Sequence, residues 1–267
     1  MNYQSRKFIL ALLIINLSAS ACFAAGPKKP DLVTREQWGS NPDPIPDSRK
    51  QVPVWITIHH AGEFWKYGAD PTDFVKRMQV WGKNRPRLEK PPRDTFWPDL
   101  PYHFMIAPDG RIFEGRPVQY EPETNTKYSV NGNIGVEMMG DFEKQRPSLE
   151  QIRSCVAITA WLCNEYHIDL DHVRTHMDAA QNQTDCPGRD FYRYIKDGQF
   201  KKWVQVTLKG KTAKVQEGPA LPDGPTKSIN DPTAQPPTNT PAESKTDAQP
   251  QVEGAKISSC YQSGLLR

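Results

Sequence analysis

Every tryptophan in this chain lies between Trp38 and Trp203, and so does every phenylalanine except Phe8 and Phe23. Aromatic side chains bring the largest apolar area per residue to a core, so a packed domain has to be built inside that window. Downstream the chemistry changes. No aromatic residue occurs from Val204 to Cys260, and eight prolines fall between Pro219 and Pro250 among Thr, Ser, Gln, Asn and Asp. Such a stretch buries too little apolar surface to offset the entropy of ordering it. Residues 208–267 are therefore expected to form a Pro-rich disordered tail, and residues 30–205 a single domain. A hydrophobic content of 37% and a mean hydropathy of −0.70 agree with a chain that is packed only in part.

The other end reads as an export signal. Arg6 and Lys7 precede the apolar run Phe8–Leu17, and the small residues of SASACFAA follow. A ten-residue run, apolar but for Asn16, is too short to span a bilayer, which takes about 20. Residues 1–25 are expected to be a signal peptide, with the protein exported to the periplasm or secreted. Ala21-Cys22 also fits lipoprotein processing, though Ala19 stands where Leu is usual. Membrane attachment is expected only through a lipid on Cys22. The net charge of +3 includes Arg6 and Lys7, and their loss with the leader leaves +1. That surplus is too small to neutralise a phosphate backbone, so nucleic-acid binding is not expected.

Within the window, strand and helix signals alternate. Val54–Ile58 is a β-branched apolar run ending in His59-His60. Asp70-Pro71 is a helix start, followed by Phe74, Met78 and Trp81 at helical spacing. His103–Ala107, Pro108-Asp109-Gly110 and Arg111–Glu114 spell a hairpin. Ile134–Met139 is a further strand, and a helix from Ser148 to about Tyr166 begins with a Ser148/Gln151 capping box. Val173–Thr175 is a short strand, and Phe191–Ile195 belongs to the last helix. Interleaving of this kind predicts an α/β fold, a central mixed β-sheet flanked by helices.

Residues able to do chemistry gather at the ends of those strands. His59 and His60 close one apolar run, His176 closes another, and Cys186 follows ten residues later in Thr184-Asp185-Cys186-Pro187-Gly188. Two imidazoles and a thiolate from separate segments can hold a catalytic zinc and leave its fourth position for water. Each also has an ordinary reading. The two histidines could be solvated or satisfied in the core, and Cys186 could be a buried small hydrophobe or half of a disulfide. Cys155 and Cys163 are poor partners for each other, since eight helical residues span about 12 Å and a disulfide needs Cα atoms within about 7 Å. Glu137 inside the strand IGVEMMG either faces solvent or acts as a general base in a cleft. Tyr102 is either a packed ring or a phenol that donates to a developing oxyanion.

Taken together, five stretches resemble the zinc N-acetylmuramoyl-L-alanine amidases, the family that includes the peptidoglycan recognition proteins and a phage lysozyme-type amidase. They are LVTREQWGS (32–40), ITIHHAG (56–62), YHFMIAPDGRIFEGRP (102–117), NIGVEMMGDF (133–142) and THMDAAQNQTDCPG (175–188). The resemblance implies that His59, His176 and Cys186 hold Zn2+ and that His60 does not. It implies Glu137 as base, Tyr102 as catalytic tyrosine, and Thr184 near the substrate carbonyl. Because Glu137 is present, the chain is more similar to bacterial members than to the animal recognition proteins. Two departures stand out: the loop from His176 to Cys186 is two residues longer than in most relatives, and Arg85–Pro101 has no recognised counterpart.

The implied activity is hydrolysis of the amide between the lactyl group of N-acetylmuramic acid and L-alanine in peptidoglycan, by a monomer that takes peptidoglycan or a muropeptide as substrate. Two alternatives compete with it: a module that binds peptidoglycan without cutting it, and an amidase acting on anhydro-muropeptide fragments.

Overall fold

The computed structural model describes residues 26–84 and 96–236. The signal-peptide reading of residues 1–25, Cys22, Cys260 and the tail beyond residue 236 lie outside them. In chain order the elements are β1 (Leu32–Val33), α1 (Arg35–Trp38), β2 (Trp55–His60), α2 (Pro71–Lys83), β3 (Phe104–Ile106), β4 (Ile112–Glu114), β5 (Asn133–Met138), α3 (Leu149–Glu165), β6 (Val173–Thr175), α4 (His176–Ala179), α5 (Arg189–Lys196) and α6 (Gln199–Leu208). The described strands form one mixed sheet in the order β1-β4-β3-β5-β2-β6, parallel except for the β3–β4 hairpin.

Local sequence explains most of these elements. Asp70 caps α2 by accepting from Thr72 N at 2.8 Å, and Pro71 opens the helix where its missing N–H costs nothing. Gly110 makes the hairpin turn at φ +87°, a backbone region that side chains disfavour. The capping box of α3 forms as expected: Ser148 Oγ accepts from Gln151 N, and Gln151 Oε1 accepts from Ser148 N. Gln151 also donates from Nε2 to Ile106 O and Met139 O, so the helix start ties together the ends of β3 and β5.

The sheet register sets up the site. β2 pairs in parallel with β5, His59 opposite Glu137 and Thr57 opposite Gly135, and with β6, Thr57 opposite Arg174. Side chains alternate along a strand, so Thr57, His59, Gly135, Glu137 and Arg174 share one face. Ile56, Ile58, Ile134, Val136 and Met138 take the other and join the core with Ile152, Val156 and Leu162 of α3.

The C-terminal part departs from the sequence reading. Phe191–Ile195 lies in α5, which is not the last helix: Gly198, at φ +76°, precedes a further one, α6. Residues 209–236, expected to lie in an unpacked tail, run along the domain with neither helix nor strand, and bury Val215 and Ile229. Ile229 sits over Gly140, where a Cβ would stand 2.5 Å from Ile229 Cδ1. Backbone bonds join Ile229 N to Arg146 O and Arg146 N to Lys227 O, both at 2.9 Å. Arg193 donates to Pro219 O, and Arg189 Nη1 to Asp223 O. Composition averages over a segment. Two apolar anchors plus arginines that satisfy its carbonyls are enough to hold this one down. Ile229→Ala is expected to cost about 2–4 kcal/mol in urea unfolding, the usual range for emptying a buried site of this size; a change under about 0.5 kcal/mol would mean the segment is not anchored there.

Candidate metal centre

Three elements deliver three donors. His59 stands near the end of β2, paired with Glu137 of β5 just beyond the stretch that pairs with β6. His176 follows β6 directly, as expected, and also opens α4, which Thr175 caps by exchanging bonds with Asp178. Cys186 is carried back to the same place by its loop, which closes through Met177 N donating to Cys186 O at 2.8 Å. Thr184 Oγ1 accepts from Cys186 N at 3.0 Å, so the structure gives this threonine a part in shaping the turn at the cysteine.

One ligand atom from each of His59, His176 and Cys186 lies within 4.8 Å of the others, and all three residues are buried. Cys186 Sγ is 3.7 Å from His59 Nδ1 and accepts from His60 N at 3.2 Å. Burial, reinforced by neighbouring His176, pushes the His59 pKa well below the ordinary histidine value, and burial brings His176 down to about 3. Both rings are thus neutral, the form that binds metals. No disulfide joins Cys155, Cys163 and Cys186, the cysteines among the described residues. A buried set of two neutral imidazoles and one cysteine sulfur suits zinc.

His60 is adjacent in sequence, and its ring takes no part. Strand alternation turns it away, and its Nδ1 accepts from Phe142 N at 3.1 Å. Glu137, opposite His59 in register, is 0% exposed, and neither carboxylate oxygen has a hydrogen-bond partner among the described residues. Burial, with the Glu63 carboxylate adding to it, holds its pKa well above the usual carboxylate range. The outward-facing reading of Glu137 therefore fails: β5 is buried on both faces. The Tyr102 ring lies 5.0 Å from that of His59 and rests over Gly135, where a Cβ would come within 3.4 Å of Tyr102 Cδ1. His59, Glu137, Tyr102, His176 and Cys186 are thus brought together, with Thr184 at their edge.

Sequence reasoning missed the residues around His176. Thr126 Oγ1 is 2.6 Å from His176 Nε2, Thr124 Oγ1 is 3.4 Å from it, and the Tyr128 ring is 5.5 Å away. These residues lie in a segment without periodicity, and nothing local marks them. His103 was missed as well. It is buried, its Nδ1 accepting from Gly135 N and its Nε2 placed 2.8 Å from Tyr120 O. Since Nδ1 accepts, the proton is on Nε2 and donates to that carbonyl.

Burial brings the His103 pKa down from 6.5 to about 3. The unfolded chain takes up this proton first, so stability falls as the pH drops below about 6.5 and keeps falling toward 3. The slope from one such group reaches about 1.4 kcal/mol per pH unit. The parent's urea stability should therefore fall more steeply between pH 6 and 4 than that of His103→Gln; equal slopes would contradict a buried neutral ring.

Comparison with known proteins follows the same lines. The N-acetylmuramoyl-L-alanine amidase profile, Amidase_2, matches residues 49–189, more than half of the chain. Peptidoglycan-recognition protein SD of Drosophila simulans is 24% identical over 201 residues, 73% of this chain and 97% of that protein. The crystal structure of a drosophila peptidoglycan recognition protein SD superposes with a TM-score of 0.52 at 19% identity, over 63% of this chain and 94% of that one. Peptidoglycan recognition protein LE, solved in complex with tracheal cytotoxin (monomeric diaminopimelic acid-type peptidoglycan), gives a TM-score of 0.50 at 22% identity, over 62% and 92%. The mixed sheet, the donor set at its strand ends and the profile match across both place the chain: it belongs to the N-acetylmuramoyl-L-alanine amidase family.

Proposed function

We propose that the protein is a zinc-dependent N-acetylmuramoyl-L-alanine amidase, cleaving the amide between the muramic acid lactyl group and L-alanine in peptidoglycan. The observation that carries this is the convergence of His59, His176 and Cys186 with an unpartnered, buried Glu137 in register beside His59. Peptidoglycan as the ligand class rests on the relatives, which are named for recognising it, one of them solved with a monomeric peptidoglycan.

Zinc held by these three residues would act as a Lewis acid, polarising the scissile carbonyl and acidifying water. The chain's own groups do the rest. Glu137, its pKa raised by burial, accepts the proton of the attacking water and returns it to the departing amine. Tyr102, beside His59, donates from its phenol to the oxyanion of the tetrahedral intermediate. Thr184 keeps Cys186 in place and, in this reading, joins Tyr102 in that donation. Export to the periplasm or beyond the cell, with lipidation of Cys22 as the variant case, would bring the protein to this substrate. We take it to act as a monomer.

The test is a chromatographic and mass analysis of peptidoglycan and of soluble anhydro-muropeptides. Each is treated with native protein, chelator-treated protein and Cys186→Ser. Release of stem peptides beginning with L-alanine by native protein alone is the expected result. A zinc-loaded protein that binds sacculi and releases nothing would make it a binding module, while cleavage of fragments alone would assign it to the recycled substrate.

A further inference from the structure

We infer that Thr126 is a positioning residue for His176: it accepts the Nε2–H of that ring, and so fixes Nδ1 as the nitrogen turned toward the metal. The inference rests on the metal centre described above. Thr126 Oγ1 lies 2.6 Å from His176 Nε2, a distance that leaves no room for an ion on that nitrogen. A neutral imidazole that gives one nitrogen to a metal carries its proton on the other, so the bond runs from Nε2–H to Thr126 Oγ1. The threonine's own proton has an acceptor at hand in Thr124 Oγ1, 2.9 Å away; the same atom accepts from Thr126 N at 3.1 Å. The reverse arrangement, with Thr126 donating to Nε2, would leave a proton on Nδ1 aimed among the other donors and would close the site to an ion.

The hydroxyl is held still from both sides. Thr126 is buried, and Lys127 N donates to Gln183 Oε1 at 2.8 Å, while Gln183 Nε2 donates to Lys127 O at 3.3 Å. Gln183 belongs to the loop that brings Cys186 to the centre, so one glutamine links the threonine to the sulfur ligand. Upstream, Glu123 is gripped by Arg49 Nη2 at 2.9 Å and Arg116 Nη1 at 3.1 Å, all three side chains being buried. The segment from Glu123 to Lys127 is thereby clamped at both ends, and the Thr126 hydroxyl meets the His176 ring without further ordering. Groups that orient a ligand in this way typically contribute 10- to 100-fold to metal affinity.

The experiment compares parent, Thr126→Val and Thr126→Ser. Zinc affinity is measured by chelator competition, the visible spectrum is recorded with cobalt(II) in place of zinc, and the ring nitrogens of His176 are observed by 15N NMR in zinc-loaded parent. The expected results are a roughly 10- to 100-fold loss of affinity with an altered cobalt spectrum for Thr126→Val, parent-like values for Thr126→Ser, and a proton on Nε2 of the parent. A parent ring protonated on Nδ1 overturns the inference, and it does so even if Thr126→Val fails to fold. So does a Thr126→Val protein whose only change is a lower unfolding midpoint of the metal-free chain. A parent that binds no zinc overturns the metal centre itself; a parent that binds zinc with Thr126→Val its equal overturns this inference alone.

Discussion

Glu137→Gln should lower the rate of stem-peptide release by about 10²- to 10⁴-fold, the usual contribution of a positioned proton-transfer group. Its zinc content should equal the parent's, and its unfolding midpoint should be no lower. The two halves of this expectation have one cause. The carboxyl is fully buried, with no hydrogen-bond partner among the described residues, and that isolation keeps its proton affinity high. A buried carboxylate in such surroundings costs stability when it ionises, and a neutral amide of the same shape removes that cost together with the chemistry. Kinetics on a soluble muropeptide, zinc analysis and a thermal melt together check it. A variant that keeps a tenth or more of the parent's rate would exclude Glu137 as the base.

Removing zinc should be more damaging still, and to stability as well as activity. An ion that binds only the folded chain at 100 to 1,000 times its Kd adds about 2.7–4.1 kcal/mol. For a domain of this size each kcal/mol corresponds to about 2–4 °C in Tm. Chelation should therefore lower Tm by roughly 5–16 °C and abolish stem-peptide release. Cys186→Ser should start from the lower value and respond little to added zinc. Calorimetry with and without chelator measures this, and a melting temperature indifferent to both metal and Cys186 would remove the centre from the protein.

The parts of the molecule that could be read from its sequence are those whose cause is local. The cap at Asp70, the Ser148/Gln151 box and the turn at Gly110 each depend on residues within a few positions of one another. His59 and His176 were visible because apolar strands end beside them, and Cys186 because it follows in the next loop; the family resemblance then singled out His59 over His60. Glu137 was ambiguous, since alternation alone does not say whether the second face of a strand meets water; the covering of β5 on both faces decided it. Thr126 was invisible. Its position depends on Arg49 and Arg116 gripping Glu123 and on Gln183 reaching Lys127, contacts between segments as far apart as 74 and 56 residues. The packing of residues 209–236 was hidden for a different reason: Val215 and Ile229 are two apolar side chains in a polar sequence, and only the folded surface around Gly140 shows where the second of them fits.

The pairing of β2 with β5 has one more result. His59 and Glu137 are locked side by side by main-chain bonds and not by any contact of their own. Deleting a single residue from either strand would swing every later side chain of that strand to the opposite surface. Chemistry in this protein should tolerate substitutions around the pair far better than it tolerates a change in strand length.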